Sequence, residues 1–146
     1  MKVFRSWLQK HFKDELPSNA ELAELLTFHA FEIEEATEDM LDVKVLPDRA
    51  AYGLSHRGIA YELSAILGKP MAYDQLAAPA PSFPETDKLA VECDGGDVRR
   101  HTGALVKGVK VGPSPEWLRA SLESVGQRSI NNVVDILNCV MLATGQ

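Results

Sequence analysis

FEIEEATEDMLDVKV, residues 31–45, decides how the rest of the chain is read. Phe31 and Ile33 alternate with Glu32 and Glu34, and Leu41, Val43 and Val45 alternate with Asp42 and Lys44. That is the two-residue period of strands with one buried face. The stretch between them, Glu34 to Met40, is polar and acidic, so the two strands are predicted to pair as a hairpin.

On both sides of the hairpin the apolar period becomes helical. Val3, Trp7, Leu8 and Phe12 recur at helical spacing with Lys2, Arg5, Lys10 and Lys13 between them, which predicts a first helix that Pro17 stops. Ser18 and Glu21 have the spacing of a capping box, in which each side chain satisfies a backbone N–H near the other. The helix they open is expected to bury Leu22, Leu25, Leu26 and His29, with His29 an ordinary helix-end residue and not a ligand. Pro47 to Gly53 reads as a loop. Ser55 then caps a helix with Ile59, Leu63, Ile66 and Leu67 inside, closed by Gly68 and Pro70.

Beyond this point the composition shifts. AAPAPSFP, residues 77–84, is the core of a stiff proline-rich linker over 76–86. It divides an α+β unit, residues 1–75, from a second unit, residues 87–146. In the second unit, Leu89 to Cys93 and Ala104 to Val111 are predicted strands, the first followed by a Gly95-Gly96 turn. Ser114 as N-cap and Pro115 at the first helical position predict a helix with Trp117, Leu118, Leu122 and Val125 inward, closed at Gly126. A last helix is predicted from about Asn132 to Thr144, with Val133, Ile136, Leu137, Val140 and Met141 apolar.

The bulk chemistry excludes several classes. The chain has 146 residues, 45 % hydrophobic and 25 % charged, as expected of an ordinary folded protein. Its formal net charge is −6, and residues 1–75 hold 13 of the 21 acidic groups. Phosphate would be repelled by such a surface as a whole, though not by a local basic face. Cys93 and Cys139 are far apart and fit no CxxC pattern, so they read as reduced, buried thiols and not as part of a metal site. Met1 to Leu16 is charged throughout, unlike a signal peptide, and no run approaches the ~20 apolar residues of a membrane span. A cytoplasmic protein with no membrane partner is expected.

Motif chemistry is sparse. There is no P-loop, no GxSxG and no HExxH string, and no cofactor is expected. Arg49, His56 and Arg57 could form a small cationic patch near a helix start, where anions are favoured. The plainer reading is that Asp48 and Glu62 neutralise them. Arg99 and Arg100, followed by His101, form a second basic cluster whose plainer reading is a solvated strand end. These five residues, Arg49, His56, Arg57, Arg99 and Arg100, are the candidates for contact with an anionic or protein partner.

Longer strings carry a resemblance. LDVKVLPDRA (41–50), LSHRGIA (54–60) with Glu62 and Leu63, RHTG (100–103), VKGVKVGPSPEWL (106–118) and VGQRSINNVVD (125–135) occur in order. Asn138, Val140 to Leu142 and Gly145-Gln146 complete the series. Together they resemble the N-terminal portion of the β subunit of bacterial phenylalanyl-tRNA synthetase. The resemblance implies that residues 1–75 form that subunit's first, winged-helix-like α+β domain. The OB-fold insertion of most relatives would be absent, only Glu34 to Met40 occupying its place. It also implies that 87–146 is the start of the editing (B3/4-like) domain, which in relatives hydrolyses tyrosine misattached to phenylalanine tRNA.

Departures from the family pattern bear on activity. The sequence stops before the string that holds the family's editing histidine. Cys139 stands where the family usually has Tyr, Leu137 where it has Thr, Ala143 where it has Glu, and Tyr52-Gly53 where it has Asp-Cys. The expectation is a truncated or stand-alone relative with a non-catalytic accessory role in aminoacylation. The alternative is a binding or inhibitory protein derived from a synthetase fragment. Expected partners are the synthetase α subunit or the rest of a β subunit, with tRNA contact weak and homodimerisation open.

Overall fold

In a computed structural model, described here for residues 1–79, 81–98 and 101–145, the hairpin sits where its alternation predicts. β2 (Glu32–Ala36) and β3 (Met40–Lys44) are antiparallel, with Ile33 opposite Val43 and Ala36 opposite Leu41. The register shifts between Ile33 and Glu35, so Glu34 is a bulge.

The first departure is at the N-terminus. Residues 2–4 are not helical but form β1 (Lys2–Phe4), which pairs with β3 so that Val3 faces Leu41. The sheet order is β1-β3-β2. Only five residues follow as α1 (Arg5–Gln9). The apolar spacing was real, since Val3, Trp7, Leu8, Phe12 and Leu16 are all buried. A strand, one helical turn and a loop satisfy it as well as a long helix would, and the strand also covers what would be an open edge of β3.

α2 (Asn19–His29) carries the predicted capping box in full. Leu22 and Leu26 are buried and Leu25 is half-buried. His29 points to solvent, contrary to expectation, while Asn19 is buried at the other end of the helix. α3 (Ala50–Gly53) is a single turn in the expected loop. α4 (His56–Leu67) starts at Ser55, whose hydroxyl accepts the Gly58 N–H, and ends at Gly68 in the left-handed conformation. α2, α4 and the sheet enclose one core containing Leu8, Leu22, Leu26, Phe31, Val43, Ile59 and Leu63.

Beyond residue 86, helices form among the described residues but the strands expected at 89–93 and 104–111 do not. Leu89 and Val91 lie against Gly103, but Leu105, Val106, Val109 and Val111 are exposed. Alternation marks a segment able to form a strand; a strand also needs a neighbour to pair with. α5 (Glu116–Ser124) has Pro115, not Ser114, in the capping position. The Ser114 hydroxyl instead donates to Asp135. Leu118, Leu122 and Val125 are buried and Trp117 is exposed. α6 (Asn132–Thr144) matches its expected bounds, and the Asn131 side chain accepts the N–H groups of Val133 and Val134. Cys139 is half-buried, whereas Cys93 is exposed rather than buried as expected. α6 packs against α5 and α4, which ties the end of the chain to the first core.

Candidate functional site

Two surfaces and one junction collect the residues that could carry function. The first surface is the loop and first turns of α4, where Arg49 and Arg57 lie.

Arg49 donates from Nη1 to Glu62 Oε1 at 3.0 Å and to the Tyr52 hydroxyl at 3.1 Å, and its guanidinium lies over the Phe31 ring. The Tyr52 hydroxyl donates to the same carboxylate oxygen, and this hydrogen bond raises the phenol's pKa. Arg57 makes a two-pronged ion pair with Asp74, Nε to Oδ1 at 2.5 Å and Nη2 to Oδ2 at 2.8 Å, while stacking on Tyr61. The guanidinium hydrogen bonds hold the Asp74 carboxyl at about 2, well below its ordinary 3.8. Between the two ion pairs lies a shallow groove of about 400 Å3 lined by Tyr52, Arg57, Gly58, Tyr61, Glu62 and Ala65. Glu62 serves Arg49 as the plainer reading has it, but Arg57 takes Asp74 across the helix. Arg99 and Arg100 lie outside the described residues.

His56 is separate from this rim. It is fully buried and stacks on Trp7 with ring centroids 4.4 Å apart. Its Nε2 accepts the backbone N–H of Phe4 at 3.2 Å, so the proton sits on Nδ1, which donates to the Leu142 carbonyl at 2.9 Å. Burial lowers its pKa to about 4, so at neutral pH it is an uncharged junction between β1, α4 and α6. His11 is also buried, bonded through Nδ1 to the Tyr73 carbonyl, and desolvation lowers its pKa too.

The second surface is the far side of α5 and α6. Behind it, on the inward face of α6, Asp135 is buried and fully engaged: it accepts the hydroxyls of Ser114 and Ser129 and the N–H of Ile130. Those bonds, that of Ser114 foremost, lower its pKa. Asn132 fixes the incoming chain by donating to the Lys110 carbonyl and accepting the Gly112 N–H. The polar residues of residues 128–135 thus build a folded corner. It leaves Val133, Ile136, Leu137, Val140 and Met141 exposed in one stripe along α6, and Trp117 of the neighbouring α5 is exposed as well.

His11, Asp135 and Asn132 were not singled out by sequence reasoning. Asn131-Asn132 before an apolar helix was the available signal for the corner. Nothing local distinguishes a buried His11. Among the described residues, no group of His, Cys, Asp and Glu could hold a metal ion, and no helix is long and apolar enough to cross a membrane.

Comparison with known proteins places these features. A family described as the B3/4 domain matches residues 97–146, which contain the Asp135 corner and the apolar stripe. The chain is 43 % identical to the phenylalanine–tRNA ligase β subunit of Bdellovibrio bacteriovorus over 106 residues, 72 % of this chain and 13 % of that protein. It is 44 % identical to the corresponding subunit of Moorella thermoacetica over 109 residues, 73 % of this chain and 13 % of the relative. With that of Lactococcus lactis it shares 32 % identity over 132 residues, 90 % of this chain and 16 % of the relative. The chain therefore spans a small fraction, 13 to 16 %, of the relatives it matches.

Proposed function

Because the chain is a relative of the β subunit of phenylalanine–tRNA ligase, we propose that it serves phenylalanine-tRNA charging as a non-catalytic, binding component. On this reading residues 1–75 are a winged-helix-like unit, a reading supported by the succession of α2 and the β2–β3 hairpin. Residues 76–86 are its linker, and 87–146 present an editing-domain-like segment, a reading supported by the B3/4 match over 97–146.

One observation carries the proposal. The first unit closes a core of its own, but the B3/4-matching segment leaves six large apolar side chains uncovered along α5 and α6. Burying such a side chain is worth roughly 1.5–3 kcal/mol, so the stripe favours a protein partner. The partner proposed is the synthetase α subunit or further β-subunit structure. The engagement of the buried ionisable groups agrees with a binding role. Both nitrogens of His56, the ring of His11 and both oxygens of Asp135 are committed to hydrogen bonds that hold the fold. Arg49 and Arg57 would rim a contact with the partner or tRNA only by sharing their present carboxylates.

The test is co-purification of the chain with a separately expressed α subunit, followed by pyrophosphate exchange. Stable capture through the α5–α6 stripe, with no phenylalanine-dependent exchange by the chain alone, is the expected result. Exchange or deacylation of mischarged tRNA that scales with the purified chain would overturn the non-catalytic reading.

A further inference from the structure

The sheet leaves one side of β2 open. β2 is the last strand in the order β1-β3-β2, and among the described residues no strand pairs with its outer side. An edge of this kind offers unpaired N–H and C=O groups to another extended chain. α2 runs alongside, and between them lies a groove of about 470 Å3 lined chiefly by Glu24, Thr27 and Phe28 of α2 and Ile33, Glu34 and Glu35 of β2. Phe28 is 84 % exposed at its mouth, more than any other large apolar side chain described. Glu32 is paired with Lys44, but Glu24, Glu34 and Glu35 have no ion-pair partner among the described residues.

Charges and a bulge on an edge strand can serve simply to discourage aggregation. That explanation covers Glu34 and Glu35. It does not cover Phe28, because a protected edge gains nothing from an exposed aromatic ring beside it. An open backbone edge, an apolar wall and an acidic rim are together the three parts of a strand-addition site. The same rim repels phosphate, so nucleic acid is a poor occupant.

We propose that the α2–β2 groove docks an extended peptide segment of alternating apolar and Lys or Arg residues, added as a fourth strand on the outer edge of β2. The backbone of β2 supplies the hydrogen bonds. Phe28 and Ile33 take the apolar side chains, and Glu24, Glu34 and Glu35 take the cations. The site is independent of the α5–α6 stripe and stands or falls separately from it.

The experiment uses the full chain and three labelled nonapeptides followed by fluorescence anisotropy. One alternates Val and Lys, one alternates Val and Glu, and the third is the Val/Lys peptide with alternate backbone nitrogens methylated. The Val/Lys peptide is expected to bind saturably and the Val/Glu peptide not to bind. Methylation keeps charge and side chains but removes the strand donors, and should weaken binding by about tenfold or more. Phe28→Ala should weaken it by about tenfold with an unchanged circular dichroism spectrum. Glu34→Lys with Glu35→Lys should abolish Val/Lys binding; should that pair unfold the hairpin, Glu24→Lys on the exposed helix reads the same charge effect. No saturable Val/Lys binding, equal binding of the methylated peptide, or indifference to Phe28→Ala would each overturn the proposal.

Discussion

His56 joins the two ends of the fold: its Nδ1 donates to the Leu142 carbonyl at 2.9 Å, while its Nε2 accepts the N–H of Phe4 at 3.2 Å. Only the neutral ring can do both, because a proton on Nε2 would remove the acceptor that Phe4 needs. Burial first, and then the nearby His11 and Lys10, push the pKa from 6.5 to about 4. The unfolded chain therefore binds a proton between pH 6.5 and about 4 that the folded chain refuses. Stability is whole above 6.5 and falls through that window, by about 3 kcal/mol from this group. His11, shifted in the same direction, adds to the fall. The lowered carboxyls of Asp74 and Asp135 act below it. Thermal melts across pH 4.5 to 7.5 should show this slope, and His56→Gln should flatten it while lowering stability at pH 7.5. An unaltered slope in the variant would remove His56 as its source.

Gly58→Ala should destabilise the protein although it improves helix propensity by about 1 kcal/mol. A Cβ at this position would lie 1.8 Å from the Tyr52 carbonyl oxygen, which the Ser55 hydroxyl already holds. The end of α3 is pressed against the first turn of α4, and backbone cannot yield as a flexible side chain can. A net loss of roughly 2 kcal/mol or more is expected in urea melts. Gly112→Ala, where no atom beyond the adjoining residues lies within 4 Å of the new methyl, should stay within about 0.5 kcal/mol.

Asp74→Asn should cost about 1–2 kcal/mol at neutral pH, since it removes a two-pronged, charge-assisted pair from a partly buried site. The native contribution is complete above pH 3.8 and is lost as pH falls through about 2. Asp74 also accepts the Leu76 N–H, so the same change should loosen the chain around Leu76. Faster chymotryptic cleavage at Tyr73 or Leu76 is the readout, and cleavage at the wild-type rate would show that this segment is held by other contacts.

The balance between legible and hidden features follows from range. The capping box of Ser18 and Glu21, the Ser55 cap, the Gly68 stop and the Asn132–Thr144 helix were legible because each is made by residues close in sequence. β1 was not, since Val3 becomes a strand residue only through Leu41, far along the chain. The 104–111 segment misled in the opposite direction: its alternation is real, but the described structure gives it no strand to pair with. The same limit applies to the site. Arg49 and its carboxylate were within reach of sequence reading, whereas the burial of His56 depends on Trp7, Phe4 and Leu142 arriving from both ends.

Leu137→Lys tests the apolar stripe. Leu137 is 65 % exposed on α6, and the face of the same helix that carries Asp135 and Leu142 is the one committed to the fold. Replacing Leu137 should therefore change the stability of the isolated chain by no more than about 0.5 kcal/mol. Leu122→Lys, at a fully buried position on α5, is the contrasting control and should disrupt the packing of α5 on α6. If the stripe is a docking surface, Leu137→Lys should cut α-subunit capture, or self-association seen by light scattering across a concentration series, by about tenfold or more. Trp117, 63 % exposed on α5, which packs against α6, gives an independent signal. Its emission should shift to the blue when the wild-type surface is covered and stay unshifted in the variant. Association and Trp117 emission that Leu137→Lys leaves intact would place the contact elsewhere on the molecule, and the stripe would then be exposed without a partner.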